Sequence, residues 1–216
     1  MILDIHTHQL RRNAIVDLDP VDLLSPSPLY SLLSTSPLKK ACRPLLRRGY
    51  LYSVGIHPWN WRRADSRALR LLRALAAEPQ VIAIGECGLD AHHPQLPPSP
   101  PSILSTSPSK LSILESQTRL LDIHIALSEQ LRKPLILHIV KAYQEIIALH
   151  NRWSPAQPWI IHGFRGKPQL ARQLLDHGFH LSFGSRYNPA SLAITPPSRL
   201  HRETDAPPTI YPLPPL

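Results

Sequence analysis

The chain has 216 residues, of which 43% are hydrophobic, and this size and composition suit a folded domain with a sizeable core. No apolar run approaches the roughly 20 residues of a membrane span, no secretory-type segment is recognisable at Met1, and two cysteines, Cys42 and Cys87, are too few to brace such a domain. We therefore expect a cytoplasmic protein without a membrane partner, and the net charge of +9 is compatible with an anionic one.

The first predicted strand, Ile2–His8, carries Asp4, His6 and His8 at alternate positions. Side chains two residues apart on a strand lie on the same side, so the two imidazoles can converge on one metal ion. A chance pair of exposed histidines is the alternative, and the apolar opposite face of the strand disfavours it.

The segment after this strand is harder to assign. Asn13–Leu18 and Leu29–Thr35 are rival candidates for a second strand, and neither leaves a full helix before it. A short basic helix is predicted over Leu38–Arg48. The Ser/Pro-rich stretches Ser25–Pro28 and Pro94–Pro108 are interpreted as loops.

The strand predicted over Tyr50–Pro58 ends near His57, which we expect to be a group on the substrate side rather than a ligand. A packed turn residue is the alternative. An amphipathic helix, Arg62–Ala77, follows, and its arginines are interpreted as a solvated face.

The next strand begins at Val81 and is predicted to end in a turn at Gly85, with Glu86 at the bend. A carboxylate there has few suitable roles, namely binding a metal, pairing with a base or transferring a proton. Cys87 is expected to pack on the opposite side of the strand, and His92 and His93 to be surface loop residues.

The remaining chain alternates helices and strands. His124 is interpreted as a packing residue within the helix Lys110–Arg132, and Glu203 and Asp205 are expected to share a face of the last strand. The further predicted strands are Pro134–Val140 with His138, Trp159–Phe164 with His162, Phe179–Gly184 and Arg199–Pro207, and the further helices are Lys141–Trp153 and Lys167–His177.

This alternation predicts parallel strands joined by right-handed crossovers. The fold class is therefore α/β, a (β/α)8 TIM-type barrel with an abbreviated first βα unit and without a C-terminal helix. We expect residues 1–216 to form a single domain, with functional side chains at the carboxyl ends of the strands.

Histidines and carboxylates at these strand ends form a candidate metal site. Imidazole with carboxylate suits Zn, Mn, Fe or Ni, and this number of groups is enough for two ions. Spacing alone leaves open whether they form a metal site or are scattered structural residues. The candidates are His6, His8, Glu86, His138, His162 and Asp205.

The order of these motifs resembles the TatD family of metal-dependent DNases, which are amidohydrolase-like TIM barrels. The resemblance rests on Asp4–His8, Gly55–Pro58, Ile84–Asp90, Pro134–His138, Ile161–Gly166 and Glu203–Pro207. It implies that the six candidates bind metal, with Glu203, His57 and Asp205 as catalytic residues. The sequence departs from the family at His138–Ala142, where an arginine and an acid are replaced, and at Gly163, where the family has cysteine.

The resemblance implies cleavage of DNA phosphodiester bonds with two divalent ions, of which Zn, Mn, Mg or Ni are candidates. Asp205 would steer or deprotonate water, while Lys141, Arg165 and Lys167 would hold the phosphate backbone. Two alternatives remain open: hydrolysis of an amide or aminoacyl ester by the same ligands, and a non-enzymatic nucleic-acid-binding barrel.

Overall fold

Eight parallel strands form one sheet, and their order in space follows their order in sequence. The computed structural model describes residues 4–24, 45–92 and 110–207. The strands are β1 (Asp4–Thr7), β2 (Ala14–Leu18), β3 (Leu51–Val54), β4 (Val81–Asp90), β5 (Leu135–Val140), β6 (Trp159–Ile161), β7 (His180–Phe183) and β8 (Leu200–Arg202).

Helices follow most of the strands. The second helix begins at Ser66 because the Asp65 carboxylate accepts hydrogen bonds from the amides of Arg67 and Ala68. The predicted start of this helix at Arg62 was therefore wrong. Among the described residues, no helix is long and apolar enough to cross a membrane. The helices are α1 (Pro20–Leu24), α2 (Ser66–Ala76), α3 (Lys110–Leu131), α4 (Tyr143–Trp153), α5 (Pro168–Asp176) and α6 (Pro189–Ile194), with 3-10 helices at Pro58–Arg63 and Pro197–Arg199.

The segment after β8 closes the barrel against β1. The amide of Asp205 donates to the carbonyl of His6, and the amide of His8 donates to the carbonyl of Ala206, both at 3.1 Å. The hydroxyl of Thr204 donates to Asp4 at 2.7 Å. These contacts give a nearly closed barrel and confirm the predicted architecture.

The first βα unit lacks a helix, as predicted. Residues 8–13 alone join β1 to β2. Six residues can span roughly 20 Å, which exceeds the roughly 13 Å length of a four-residue strand. β2 matches the candidate Asn13–Leu18, whereas the rival Leu29–Thr35 and the predicted lack of a helix after Pro207 lie outside the described residues.

β4 is longer than the sequence indicated. It runs through all 10 residues of Val81–Asp90, so the predictions of a strand end at Gly85 and of a bend at Glu86 were wrong. Its register with β5 shifts between Ile84 and Cys87. Such a bulge re-aims the side chains that follow it, and here it accompanies the change from the apolar strand to the polar site.

Two glycines of β4 are required by the close approach of β5. A Cβ at Gly85 would collide with the carbonyl oxygen of Ile136, and one at Gly88 with the carbonyl oxygen of His138. The glycines therefore serve the contact between the strands and do not end β4.

Apolar side chains pack on both sides of the sheet. The larger cluster joins strands and helices and includes Cys87, which is buried as predicted. Ile136 lies two residues before His138 on the same strand, so both face the same side. The second cluster is therefore a layer inside the barrel beneath the candidate site, and it consists of Ile5, Ile15, Ala83, Ile136 and Ile160.

Other predicted elements end earlier or cannot be assessed. β8 ends at Arg202 and Asp205 has a positive φ of 46°, so the expectation that Glu203 and Asp205 share a face of the last strand was wrong. No α-helix covers residues 45–48 of the predicted Leu38–Arg48 helix. Residues 38–44, His93 and both Ser/Pro-rich stretches lie outside the described residues.

Candidate metal centre

Glu86 lies at the centre of the candidate ligands and is only 5% exposed. Its Oε2 is 3.3 Å from His6 Nε2 and 3.8 Å from His8 Nε2. Its Oε1 is 2.8 Å from both His138 Nδ1 and His162 Nε2. Each carboxylate oxygen faces a different pair of the candidate imidazoles, so Glu86 lies between the two halves of the site.

Asp205 completes the half of the site that faces Glu86 Oε2. Its Oδ1 is 3.7 Å from His6 Nε2 and 3.8 Å from His8 Nε2. The irregular backbone after β8, and not a strand pleat, brings it there. The structure thus gathers all six candidates into sets whose ligand atoms lie within 4.8 Å of one another: His6 with His8 and Glu86, His6 with His162 and Asp205, and His57 with Glu86 and His138.

His57 also reaches the centre, with Nε2 at 3.3 Å from Glu86 Oε1. Its Nδ1 accepts a hydrogen bond from the amide of Trp59 at 3.1 Å. In a neutral imidazole the other nitrogen then carries the proton. His57 is therefore suited to donate a hydrogen bond to Glu86, and its role on the substrate side stays a prediction.

Three of the histidines have a second carboxylate beside the ring nitrogen that is remote from Glu86. Outer carboxylates of this kind fix the tautomer and the ring orientation of a metal-binding histidine. A proton on the remote nitrogen leaves the nearer nitrogen free to bind a cation. The pairs are His138 Nε2 with Asp90 Oδ2 at 3.1 Å, His162 Nδ1 with Glu203 Oε1 at 3.5 Å, and His8 Nδ1 with Asp17 Oδ2 at 3.7 Å.

Glu203 is held in place by the loop that follows β6. Its side chain has no exposed surface, and Oε1 accepts a hydrogen bond from the amide of Gly163 at 2.6 Å. A Cβ at Gly163 would make ordinary contact with this carboxylate at 3.6 Å. Gly163 therefore contributes its backbone amide to the site.

Opposing charges shift the pKa values at the centre. Burial alone would raise the pKa of Glu86, but the charge of His162 and hydrogen bonds from His138, His162 and His57 hold it well below its usual value. Burial would lower the pKa of His162, yet Glu86 and Glu203 raise it well above its usual value. The site therefore keeps Glu86 as an anion, the form that binds cations.

Asp17 and Asp90 are the site residues that sequence reasoning missed. Asp17 accepts hydrogen bonds through Oδ1 from the Glu86 amide at 2.6 Å and from the Ser53 hydroxyl at 3.0 Å. It lay in a strand of uncertain assignment, and Asp90 lay beyond the strand end predicted at Gly85. Both are acids at the carboxyl end of a strand, the signal by which they could have been found.

Two other histidines behave as the sequence indicated. His92 is exposed in a loop, and His124 is fully buried within α3. His124 Nε2 accepts a hydrogen bond from the amide of Ile56, and Nδ1 lies beside the carbonyl of Leu120, both at 2.9 Å. His124 therefore supports the end of β3 as a neutral packing residue.

The donors present fit divalent cations. Nε2 of His6 is buried and has no hydrogen-bond partner among the described residues, although it faces Glu86 and Asp205. Leaving a buried polar group unpaired costs about 1–3 kcal/mol, so this atom indicates a ligand at the centre. Imidazole and carboxylate together match Zn, Mn, Fe or Ni. The assignment of individual ligands stays a prediction.

Residues 33–213 match the model of the family of TatD-related DNases. The 3'-5' ssDNA/RNA exonuclease TatD of Cronobacter turicensis is 34% identical over 197 residues, 84% of this chain and 66% of that protein. The uncharacterized metal-dependent hydrolase YcfH of Escherichia coli is 31% identical over 138 residues, 63% of this chain and 45% of that protein. The chain therefore spans less than two thirds of the length of these relatives.

Solved structures support the fold. A TatD homologue from Escherichia coli K12 superposes with a TM-score of 0.63 at 20% identity, covering 89% of this chain and 66% of that chain. A TatD family hydrolase from Entamoeba histolytica gives a TM-score of 0.62 at 19% identity, covering 89% and 60% of the two chains. At this identity the likeness concerns the barrel alone.

Proposed function

The chain belongs to the family of TatD-related DNases, and from that premise we propose that it is a metal-dependent hydrolase of nucleic-acid phosphodiester bonds. The observation that carries the proposal is the position of Glu86, whose two oxygens face two separate sets of imidazoles. A carboxylate so placed suits a pair of divalent ions, and Zn, Mn, Mg or Ni are the candidates. In this proposal residues 1–216 act as one catalytic domain.

Each half of the site would hold one ion. Bound ions supply Lewis acidity, which polarises a phosphate and makes a water more acidic. A pair of such ions would stabilise the attacking and the leaving oxygen of a phosphoester. His6, His8, Asp205 and Oε2 of Glu86 would hold the first, and His138, His162 and Oε1 of Glu86 the second.

The surrounding side chains would orient and accept protons. Asp205 is 38% exposed, which gives it access both to a water and to solvent, as a general base needs. Glu203 would keep His162 in the tautomer that binds through Nε2, because it lies beside Nδ1. His57 would donate a hydrogen bond to Glu86 or to the substrate.

Cationic side chains around the barrel mouth support an anionic polymer as substrate. They follow the carboxyl ends of three successive strands, and all are exposed. Cations so arranged bind the phosphate backbone without reading sequence. Similarity to an exonuclease named for single-stranded DNA and RNA makes such strands the first substrates to test. The cations are Lys141 after β5, Arg165 and Lys167 after β6, and Arg186 after β7.

The proposal is tested with the purified full chain and oligonucleotides labelled at either end. Single-stranded DNA, duplex DNA and RNA are incubated with Mg²⁺, Mn²⁺, Zn²⁺ or Ni²⁺, and the products are sized. We expect release of nucleotides that needs metal and that falls by about 100-fold or more in Glu86→Gln and Asp205→Asn.

The same preparations separate the alternatives. A metal-loaded protein that leaves every oligonucleotide intact but cleaves amide or aminoacyl ester substrates would replace the nuclease proposal by the amidohydrolase one. A protein that binds oligonucleotides, cleaves nothing and has the same metal content in Glu86→Ala would favour the non-enzymatic alternative.

A further inference from the structure

Trp59 is an exposed aromatic residue directly beside the candidate metal centre. It is 47% exposed, and among the described large hydrophobic residues only Tyr187, at 38%, is comparably exposed. Trp59 lies in the 3-10 helix Pro58–Arg63, which begins directly after His57. Its ring centroid is 5.0 Å from that of His57 and 6.3 Å from that of His138.

The indole is held in one orientation by its polar atoms. Nε1 donates a hydrogen bond to Asp90 Oδ2 at 2.7 Å, and the backbone amide donates to His57 Nδ1 at 3.1 Å. Because the indole N–H is bound by Asp90, a planar ligand would meet the carbon framework of this half-exposed ring. A fixed, exposed aromatic ring is a low-entropy binding surface for another planar group.

We propose that Trp59 is a substrate-binding residue that stacks on the nucleobase next to the phosphate held at the metal centre. This assignment rests on the proposed nuclease function. His57 contacts both the indole and Glu86, and a nucleotide carries its base one sugar away from its phosphate. The cations around the mouth supply the phosphate contacts, and Trp59 supplies the aromatic face that a single-strand binding groove uses.

A stacking residue at this position selects unpaired strands. Every base has a π-face, so stacking tolerates any sequence. In a duplex, however, both faces of an internal base are covered by its neighbours, and exposing one costs unstacking energy. Trp59 therefore favours single strands and frayed ends without discriminating between bases.

Substitutions at Trp59 are compared on matched substrates. Trp59→Ala removes the ring, Trp59→Phe keeps an aromatic face without the N–H, and Trp153→Phe is the control because Trp153 Nε1 donates to Asp122 in the same way, at 2.8 Å, far from the site. The substrates are single-stranded oligonucleotides with a normal base or an abasic residue at successive positions from the cleaved end.

We expect Trp59→Ala to raise KM about 5- to 100-fold on the normal strand, with a smaller change in kcat. An abasic residue at one position should raise the KM of the wild type by a similar factor. The same abasic residue should not raise the KM of Trp59→Ala any further. Trp59→Phe should stay within about threefold of the wild type, and Trp153→Phe should match it. The same substitutions are then combined with Glu86→Gln, which prevents turnover. Binding of the oligonucleotides to these double variants, measured by fluorescence anisotropy, should show the same pattern.

Two results would overturn the assignment. Equal losses on normal and abasic strands, together with an equal defect in Trp59→Phe, would mean that Trp59 acts through its hydrogen bond to Asp90. Unchanged KM and unchanged anisotropy in Trp59→Ala would mean that the ring binds nothing. A wild type that cleaves no nucleic acid refutes the nuclease proposal separately, and the anisotropy pattern then decides whether Trp59 binds bases.

Discussion

Replacing Asp90 by asparagine should weaken metal binding although Asp90 is not a candidate ligand. Asp90 is 3% exposed, and Oδ2 lies 3.1 Å from His138 Nε2 and 2.7 Å from Trp59 Nε1. Its Oδ1 accepts a hydrogen bond from the amide of His92 at 2.7 Å. One carboxylate thus accepts from three donors, and it does so from a buried position behind the ligand.

Asparagine cannot reproduce this pattern in either orientation. Its single carbonyl oxygen can face His138 and Trp59 or the His92 amide, and its NH₂ group then opposes at least one donor. The bond to His138 also changes from a charge-assisted to a neutral one, a loss of about 1–2 kcal/mol. This corresponds to about a 5- to 30-fold loss of affinity, within the range usual for outer carboxylates.

The affinity is measured by titrating Zn²⁺ or Mn²⁺ against a competing chelator, with wild type and variant in parallel. Asp122→Asn is the matched control, because Asp122 also accepts from a tryptophan N–H, that of Trp153, on the outer helices. We expect Asp122→Asn to bind metal like the wild type. Equal affinity in the wild type and Asp90→Asn would refute the reasoning, as would an equal loss in the control.

Three further predictions concern the same framework. At a metal concentration of 100 Kd, an ion should stabilise the wild type by about 2.7 kcal/mol and raise its Tm by about 5–10 °C, an increase that Glu86→Gln should lack in differential scanning fluorimetry. Burial lowers the pKa of His124 to about 4, so the unfolded chain takes up its proton first as the pH falls below about 6.5. The free energy of unfolding from urea titrations should therefore fall between pH 7 and pH 5 by about 2 kcal/mol more in the wild type than in His124→Gln, and equal slopes would show that this histidine is not responsible. Gly88→Ala should lower the free energy of unfolding by about 3 kcal/mol or more, because its Cβ meets the carbonyl of His138. Gly49→Ala, with a positive φ but open surroundings, should lower it by about 1 kcal/mol. Similar losses in both variants would contradict the steric explanation.

Much of the inner site could be predicted because its residues obey local rules. His138 and His162 follow buried apolar stretches at the carboxyl ends of parallel strands, where this architecture gathers its functional side chains. The spacing of His6, within β1, and His8, directly after it, likewise indicated that the two imidazoles meet. These signals are contained within single segments, so the sequence displays them directly.

The rest depended on distant parts of the chain. Alternation from residue to residue presumes an unbroken strand, and it failed for Glu203 and Asp205 because β8 ends at Arg202. Asp17 serves His8 from the neighbouring strand, and such a pairing follows from the barrel register rather than from any local pattern. Outer carboxylates of this kind become visible only once the register is known.

The structure gives each position of the Glu86–Asp90 motif a physical role. Glu86, Gly88 and Asp90 alternate along β4 and so face one side, while the residues between them, Cys87 and Leu89, are buried in the helix-side core. Gly88 is the register partner of His138 and has no side chain to keep the strands apart.

The two carboxylates on either side of Gly88 therefore reach the same imidazole from opposite edges, Glu86 at Nδ1 and Asp90 at Nε2. With the Nε2 proton directed at Asp90, a cation can replace the proton that Nδ1 shares with Glu86, and the Nδ1 lone pair is then available to that cation. Two acids and one glycine of the motif thus fix the orientation of His138. For this reason a substitution at Gly88 or Asp90 should lower metal affinity although neither residue is a candidate ligand.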